Sequence, residues 1–229
     1  MSGYSNSEIT RMALIMAAGK LFAEHGIDGV TTRAIAEKAG ENIGVIHYHF
    51  GGKDGLINAV MDFVCEPWSG DPLGTFLEAH RYLLKTRNGQ NGVLVNMIKI
   101  FFSIFFSSER PSWCTTLGFQ IIQRDLEVSR NAFKLAAVPN IKAFMELYYV
   151  VSGDRDFERA YNWSMTVTAP ALLISINPLA IKRMHPDGAP SDKFISKLKF
   201  SCIHNALLTI QFLSRKGKKI KSEKIRTEQ

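Results

Sequence analysis

Residues 31–50 read TTRAIAEKAGENIGVIHYHF, and this stretch decides the fold. Thr31 or Thr32 caps a short helix, since a threonine hydroxyl accepts from an unpaired backbone N–H of the first turn. The helix continues to Lys38, and Ala39-Gly40 supplies a tight turn, because glycine enters the left-handed region without a Cβ penalty. Asn42 is a second good N-cap, for a helix running through Tyr48 that Gly51-Gly52 ends. Two short helices about a tight turn make a helix-turn-helix, whose second helix enters the DNA major groove. The expectation is a protein that reads DNA rather than one that turns over a substrate.

Upstream, a helical pattern begins near Ser7. Ile9, Met12, Ala13, Met16, Ala17 and Leu21 recur at three- and four-residue steps, with Lys20 interrupting, and His25-Gly26 closes the helix. Downstream, Lys53 to about Val64 forms another helix with Leu56, Ile57, Val60, Met61 and Val64 on one face. Pro67, Gly70 and Pro72 then punctuate the chain. These signals divide it into a helix-turn-helix head at 1–54, a helical second domain at 55–216 and a basic flexible tail at 217–229. Helices are expected in the second domain near 72–87, 92–107, 112–134, 139–151, 155–184 and 190–215. Pro170 and Pro178 kink or split the fifth of them. No segment alternates as a strand. The fold class is therefore all-α: a three-helix head and a larger helical domain.

The chain has 229 residues, 46% of them hydrophobic and 21% charged, a globular balance that excludes wholesale disorder. Its net charge of +7 is unevenly placed. Residues 1–55 carry five cations and six anions, for −1, whereas residues 215–226 carry seven cations and one anion, for +6. The motif, not the global charge, must therefore carry a DNA-binding reading. The basic tail adds at most sequence-independent affinity for nucleic acid, or simply solubility. Cys65, Cys114 and Cys202 form no C-x-x-C pair, which argues for a reducing compartment. The opening MSGYSNSEIT has no basic region ahead of an apolar one and is not expected to be a leader. The most apolar run, residues 93–106, includes Asn96 and Lys99. It falls short of the ~20 apolar residues that span a bilayer. The expectation is a cytoplasmic protein without a membrane partner.

From Arg11 to about Val60 the chain resembles the N-terminal domain of the TetR/AcrR family of bacterial transcriptional regulators. The matching residues are Ala17-Ala18, Leu21 to Gly26, Thr31-Thr32, Ile35-Ala36, Ala39-Gly40, Gly44, Ile46, His49-Phe50 and Lys53 to Leu56. Gln120 to Asp125 and Pro139 to Ile141 resemble one subgroup, whose C-terminal domain is of the cefoperazone- and chloramphenicol-responsive type. The resemblance implies a homodimer joined through its last two helices, a palindromic double-stranded DNA operator, and a small-molecule effector whose binding releases the DNA. Two positions depart from the family pattern: Glu41 where valine is usual, and His47 where tyrosine is usual.

Within the head, Ile35, Ala36, Ala39, Ile46 and Phe50 are expected in the core. The DNA-binding set is Thr32, Arg33, Asn42, Ile43, Gly44, Val45, His47, Tyr48, His49 and Lys53. Arg33 can fork onto the O6 and N7 of a guanine, and Ile43 and Val45 can touch thymine methyls. Gly44 brings the backbone close to DNA. Tyr48, His49 and Lys53 suit phosphates, which take half to two-thirds of the hydrogen bonds in a typical interface. For each polar residue the plainer alternative is a solvated side chain. His47 and His49, two apart on a helix, do not face each other, and no cysteine or carboxylate completes a metal site.

In the second domain Met97, Phe101, Phe105, Trp113 and Trp163, with Gln120, Gln123 and Arg124 as polar members, are expected to line an apolar effector cavity. The alternative for each aromatic is plain core. No cofactor motif is present. Nor is there a G-x-S-x-G, an H-E-x-x-H, a phosphate-binding loop or a carboxylate pair on one helical face, so an enzyme is not expected. The competing reading of the head is an interaction module that binds a protein instead of DNA, favoured by its near-neutral charge and by Glu41.

Overall fold

The computed structural model describes residues 6–107, 109–122, 138–176 and 191–227, together with 134 and 183, and side chains of the last helix as far as Leu213. The described residues are helical, with no strand among them. The helices are α1 (Asn6–His25), α2 (Thr32–Ala39), α3 (Ile43–Phe50), α4 (Lys53–Cys65), α5 (Pro72–Ala79), α6 (Arg87–Phe106), α7 (Trp113–Ile122), α8 (Val138–Ser152), α9 (Phe157–Ile176) and α10 (Asp192–Thr227). Short 3-10 turns at Glu66–Trp68 and Arg81–Lys85 flank α5, so the single helix expected over 72–87 is divided at His80.

The chain forms two compact units. The first is built from Met1–Pro67 and Glu109–Lys134, the second from Trp68–Ser108 and Leu135–Gln229. In the first, Leu14, Ile15, Ala18 and Phe22 of α1 meet Ile35 of α2, Ile46 of α3, Leu56 and Val60 of α4, and Leu117 and Ile121 of α7. Two sequence expectations change here. Helix α4 buries Leu56, Ala59, Val60 and Met61 in this core, so the first unit extends past the boundary expected at residue 54. Helix α7, expected to begin a second-domain helix over 112–134, packs against α1 and α4.

The face of α1 also differs from the expected one. Ile9 and Met12 are exposed, while the buried stripe is Leu14, Ile15, Ala18 and Phe22. Residues 12–18 are apolar without interruption, so periodicity does not select a face and the packing partners do. Gly19 shows the closeness of that packing. A Cβ there would stand 2.2 Å from the Trp113 indole, and Trp113 in turn stacks on Phe63 with centroids 5.9 Å apart.

The second unit's core joins Leu73 and Leu77 of α5 with Val93, Leu94, Met97, Ile98, Phe101 and Phe102 of α6. Phe144, Leu147 and Tyr148 of α8, Trp163 and Val167 of α9, and Ala206 and Ile210 of α10 complete it. By length and composition alone α6 could cross a membrane, but its most apolar stripe is buried in this core. Helix α9 continues through Pro170, and Pro178 lies outside the described residues. Between α8 and α9, Gly153 takes φ 70. There Asp154 accepts from the Asp156 N–H (3.0 Å), the Arg159 guanidinium (2.9 Å) and the Tyr148 hydroxyl (3.2 Å).

Helix α10 runs 36 residues, to Thr227, and so takes in most of the basic segment expected as a separate tail from 217. Extending an existing helix avoids the cost of nucleation. Residues 214–227 contain one poor helix former, Gly217, among lysines, arginines and isoleucines of moderate to good propensity.

Candidate nucleic-acid interface

The caps read from sequence are formed. The Thr31 hydroxyl accepts from the Ala34 N–H at 3.2 Å and opens α2. At the other end Gly40 takes φ 72. Its N–H donates to the Glu37 carbonyl at 3.1 Å, while the Glu41 N–H reaches back to the Ala36 carbonyl at 2.9 Å. This pair of bonds is a Schellman turn, and it fixes the angle at which the chain leaves α2. The Asn42 Oδ1 then accepts from the Gly44 N–H at 2.9 Å and starts α3. Gly51, at φ 71, donates to the His47 carbonyl and ends it. The corner into α4 needs Gly55, because a Cβ there would lie 1.8 Å from the Phe50 carbonyl oxygen.

Helix α3 has two distinct faces. Ile46 is fully buried, and Val45, His49 and Phe50 are half-buried. Ile43, Gly44, His47 and Tyr48 are exposed and follow the i, i+4 spacing of one helical face. Ile43 is 47% exposed and Tyr48 82%. Two large, partly apolar side chains thus stand in solvent near the capped N-terminus of α3. Arg33 is exposed and Thr32 half-buried in the first turn of α2, where the backbone presents unpaired donors and a positive dipole end.

Two expected contacts take internal partners, and so does one departure from the family pattern. Val45, expected in the groove, packs against the core of the first unit. Lys53, expected as a phosphate anchor, donates from Nζ to the Ile27 carbonyl at 2.7 Å, which ties the start of α4 to the α1–α2 connector and leaves its other two donors. Glu41, the departure from the family pattern, is half-buried, and its Oε1 accepts from the Thr10 hydroxyl at 3.0 Å. The carboxylate replaces an apolar turn contact with a polar tie to α1. A further clamp missed in sequence is Arg11, whose guanidinium lies 5.3 Å from the centroid of the Phe50 ring. The cation–π contact draws the end of α3 against α1.

The residues expected around an effector fall in different units. Trp113 and Gln120 belong to the first. Trp113 wedges against Gly19 and Phe63, and the Gln120 side chain donates to the Ala23 carbonyl at 3.3 Å. Met97, Phe101, Phe105 and Trp163 belong to the second. Met97 has no exposure, and Trp163 is buried with its indole N–H on the Thr209 hydroxyl at 3.1 Å. Both are part of the second unit's buried cluster. Phe101 and the half-buried Phe105 form an edge-to-face cluster with Trp68. Periodicity gives no signal for Trp68 because it lies in a 3-10 turn after Pro67. Gln123 and Arg124 lie outside the described residues. Burial and the nearby Asp62 push the Cys65 thiol up to about 11, and burial raises Cys114 and Cys202. These thiols stay protonated and are poor nucleophiles near neutral pH.

Residues 14–60 match the family model described as "Bacterial regulatory proteins, tetR family", and those residues span the capped helix-turn-helix and its supports. This match makes residues 14–60 a TetR-type helix-turn-helix domain. Curated TetR-type relatives match over limited stretches. The transcriptional dual regulator CecR of Shigella flexneri is 40% identical over 73 residues, which is 32% of this chain and 30% of that one. The repressor AcnR of Corynebacterium diphtheriae is 29% identical over 102 residues, 34% of this chain and 54% of its own. This chain thus matches between about a third and a half of those relatives' lengths. Solved structures share the TetR fold over much more of the chain. The hemolysin II regulator HlyIIR aligns with a TM-score of 0.55 at 19% identity, over 86% of this chain and 98% of that one. FadR of Bacillus subtilis, solved with stearoyl-CoA, aligns with a TM-score of 0.53 at 16% identity, over 86% and 97%.

Proposed function

We propose that this chain is a ligand-responsive transcriptional regulator, a cytoplasmic homodimeric repressor that leaves a palindromic operator when a small apolar effector binds. The observation that carries the reading is the outward face of α3. A capped helix places Ile43, Gly44, His47 and Tyr48 in solvent together, with Arg33 exposed on the adjoining helix. Isoleucine and tyrosine gain nothing from water there, whereas a major groove offers thymine methyls, base edges and phosphates. Asn42, with Oδ1 held in the cap, keeps its amide N–H₂ for a phosphate or base acceptor.

The dimer reading is supported by the second unit. Phe200, Leu208 and Phe212 of α10 are exposed at multiples of four residues, and Phe157 and Leu173 of α9 are exposed as well. Exposed aromatic and leucine side chains repeated along one helix suit an association surface, and a second copy is the partner that the TetR fold suggests. For the effector, the Trp68–Phe101–Phe105 cluster is the part of the expected cavity lining that the second unit brings together. FadR's stearoyl-CoA supports a long apolar ligand as the first class to test.

The deciding experiment is a gel shift on DNA upstream of the coding region, with Arg33→Ala and Tyr48→Ala beside the native protein. Both variants should lose at least tenfold in affinity, the effect of about 1.4 kcal/mol, and still form the native oligomer. Equal affinity for all three proteins refutes the reading. The alternative, a TetR-fold module that binds a protein partner, is favoured by the net charge of −1 over residues 1–55. Negligible affinity for duplex DNA even at low salt would establish it over the repressor reading.

A further inference from the structure

We propose that residues 215–226, the extension of α10, form a second nucleic-acid-binding element that holds the phosphate backbone without reading sequence. Charge placement is the first observation. Arg215, Lys216, Lys218, Lys219, Lys221, Lys224 and Arg226 are offset by one anion, Glu223, so this segment carries +6 of the chain's net +7. Residues 1–55 carry −1. Most of the affinity of a duplex-binding protein at low salt comes from cations that displace counterions from phosphates, and the head is poor in them.

The second observation is backbone order. The segment continues α10 as helix to Thr227, so its seven cations occupy about 18 Å of helix axis. That linear density, one charge per about 2.6 Å, approaches the one per ~1.7 Å of duplex DNA. The sequence also selects between polyanions. Ile220 and Ile225 are the apolar residues of this segment. A separation of five residues rotates them about 140° apart on an α-helix, which builds no apolar stripe for insertion into a bilayer surface. The chemistry is therefore that of a water-exposed polyanion, a nucleic-acid backbone, rather than a lipid interface. None of this depends on the head recognising an operator.

The test is full-length protein titrated onto a fluorescent random-sequence 30-base-pair duplex from 50 to 200 mM KCl. A fivefold variant (Lys216→Gln, Lys218→Gln, Lys219→Gln, Lys221→Gln, Lys224→Gln) is compared with the same five positions changed to Arg. The Gln variant should lose at least tenfold in affinity at 50 mM KCl. Its slope of log K against log salt should shrink by about 2 to 3, since about three of the five lysines share one side of an α-helix and each phosphate left without a cation removes ~0.9. The Arg variant should keep both. A slope unchanged in the Gln variant overturns the proposal. So does binding of the native protein to phosphatidylglycerol vesicles at concentrations that leave the duplex free. The two readings fail separately: an unchanged slope in the Gln variant overturns this one, whereas the head's reading stands or falls on the Arg33→Ala and Tyr48→Ala gel shifts.

Discussion

Gly44→Ala should make the protein more stable and a worse DNA binder at once. Gly44 is the second residue of α3, is exposed, and has no left-handed φ. A Cβ added there meets only the Asn42 Oδ1, at 3.5 Å, an ordinary contact. Nothing among the described residues of the head therefore requires glycine. Alanine in place of a helical glycine gains roughly 0.5–1 kcal/mol, mainly by reducing the freedom of the unfolded chain. For a chain of this length that raises Tm by up to about 4 °C. If the α3 backbone lies against DNA at this point, the methyl intrudes on a packed surface, where such overpacking costs about 1–3 kcal/mol. Affinity for the operator should fall roughly 5- to 150-fold. Thermal unfolding followed by circular dichroism and fluorescence anisotropy on operator DNA at one fixed salt concentration read the two effects separately. A variant that melts higher and binds as well as the native protein refutes the close approach. A variant that melts lower refutes the reading of the cap.

Lys53→Met should destabilise the first unit by about 1–3 kcal/mol in urea unfolding, because the Ile27 carbonyl loses a charged donor. The salt slope of DNA binding should change by less than one, and a full unit of change would restore Lys53 as a phosphate contact. Gly19→Ala places a methyl 2.2 Å from the Trp113 ring and should cost about 1–3 kcal/mol, with an altered tryptophan emission spectrum. Native stability and emission would show that α7 is not seated as described. Asp154 is held below the usual carboxylate range, first by the Asp156 N–H and then by the Arg159 guanidinium. A depressed folded-state value stabilises the protein above the unfolded value of about 3.8, and that contribution is lost as pH falls through the folded value. Asp154→Asn should therefore flatten the acid limb of stability below about pH 4, and an unchanged limb would refute the assignment.

The parts of the head that were legible in sequence are those fixed by near neighbours. Thr31, Gly40, Asn42 and Gly51 act through bonds to residues two to four positions away, and each residue type has one physical use at a helix end. The long-range ties were not legible. No pattern in the chain announces that Lys53 reaches the Ile27 carbonyl, that Glu41 holds Thr10, or that Arg11 covers Phe50. Helix α7 is the largest such case. Its apolar spacing suits burial in either unit, and the Trp113–Gly19 contact, across more than 90 positions, commits it to the first.

Gly19 and Gly44 look alike in sequence, each a helical glycine at a cost near 1 kcal/mol relative to alanine. Gly19 has an internal reason, since the indole of Trp113 occupies the space a side chain would need. Gly55 has one as well, in the Phe50 carbonyl. Gly44 has none among the described residues. A helix-weakening residue that no internal contact requires, on the exposed face that also carries Ile43 and Tyr48, is explained by something that comes close from outside. No family resemblance is needed to reach that conclusion, and the Gly44→Ala pair of measurements therefore tests the site directly.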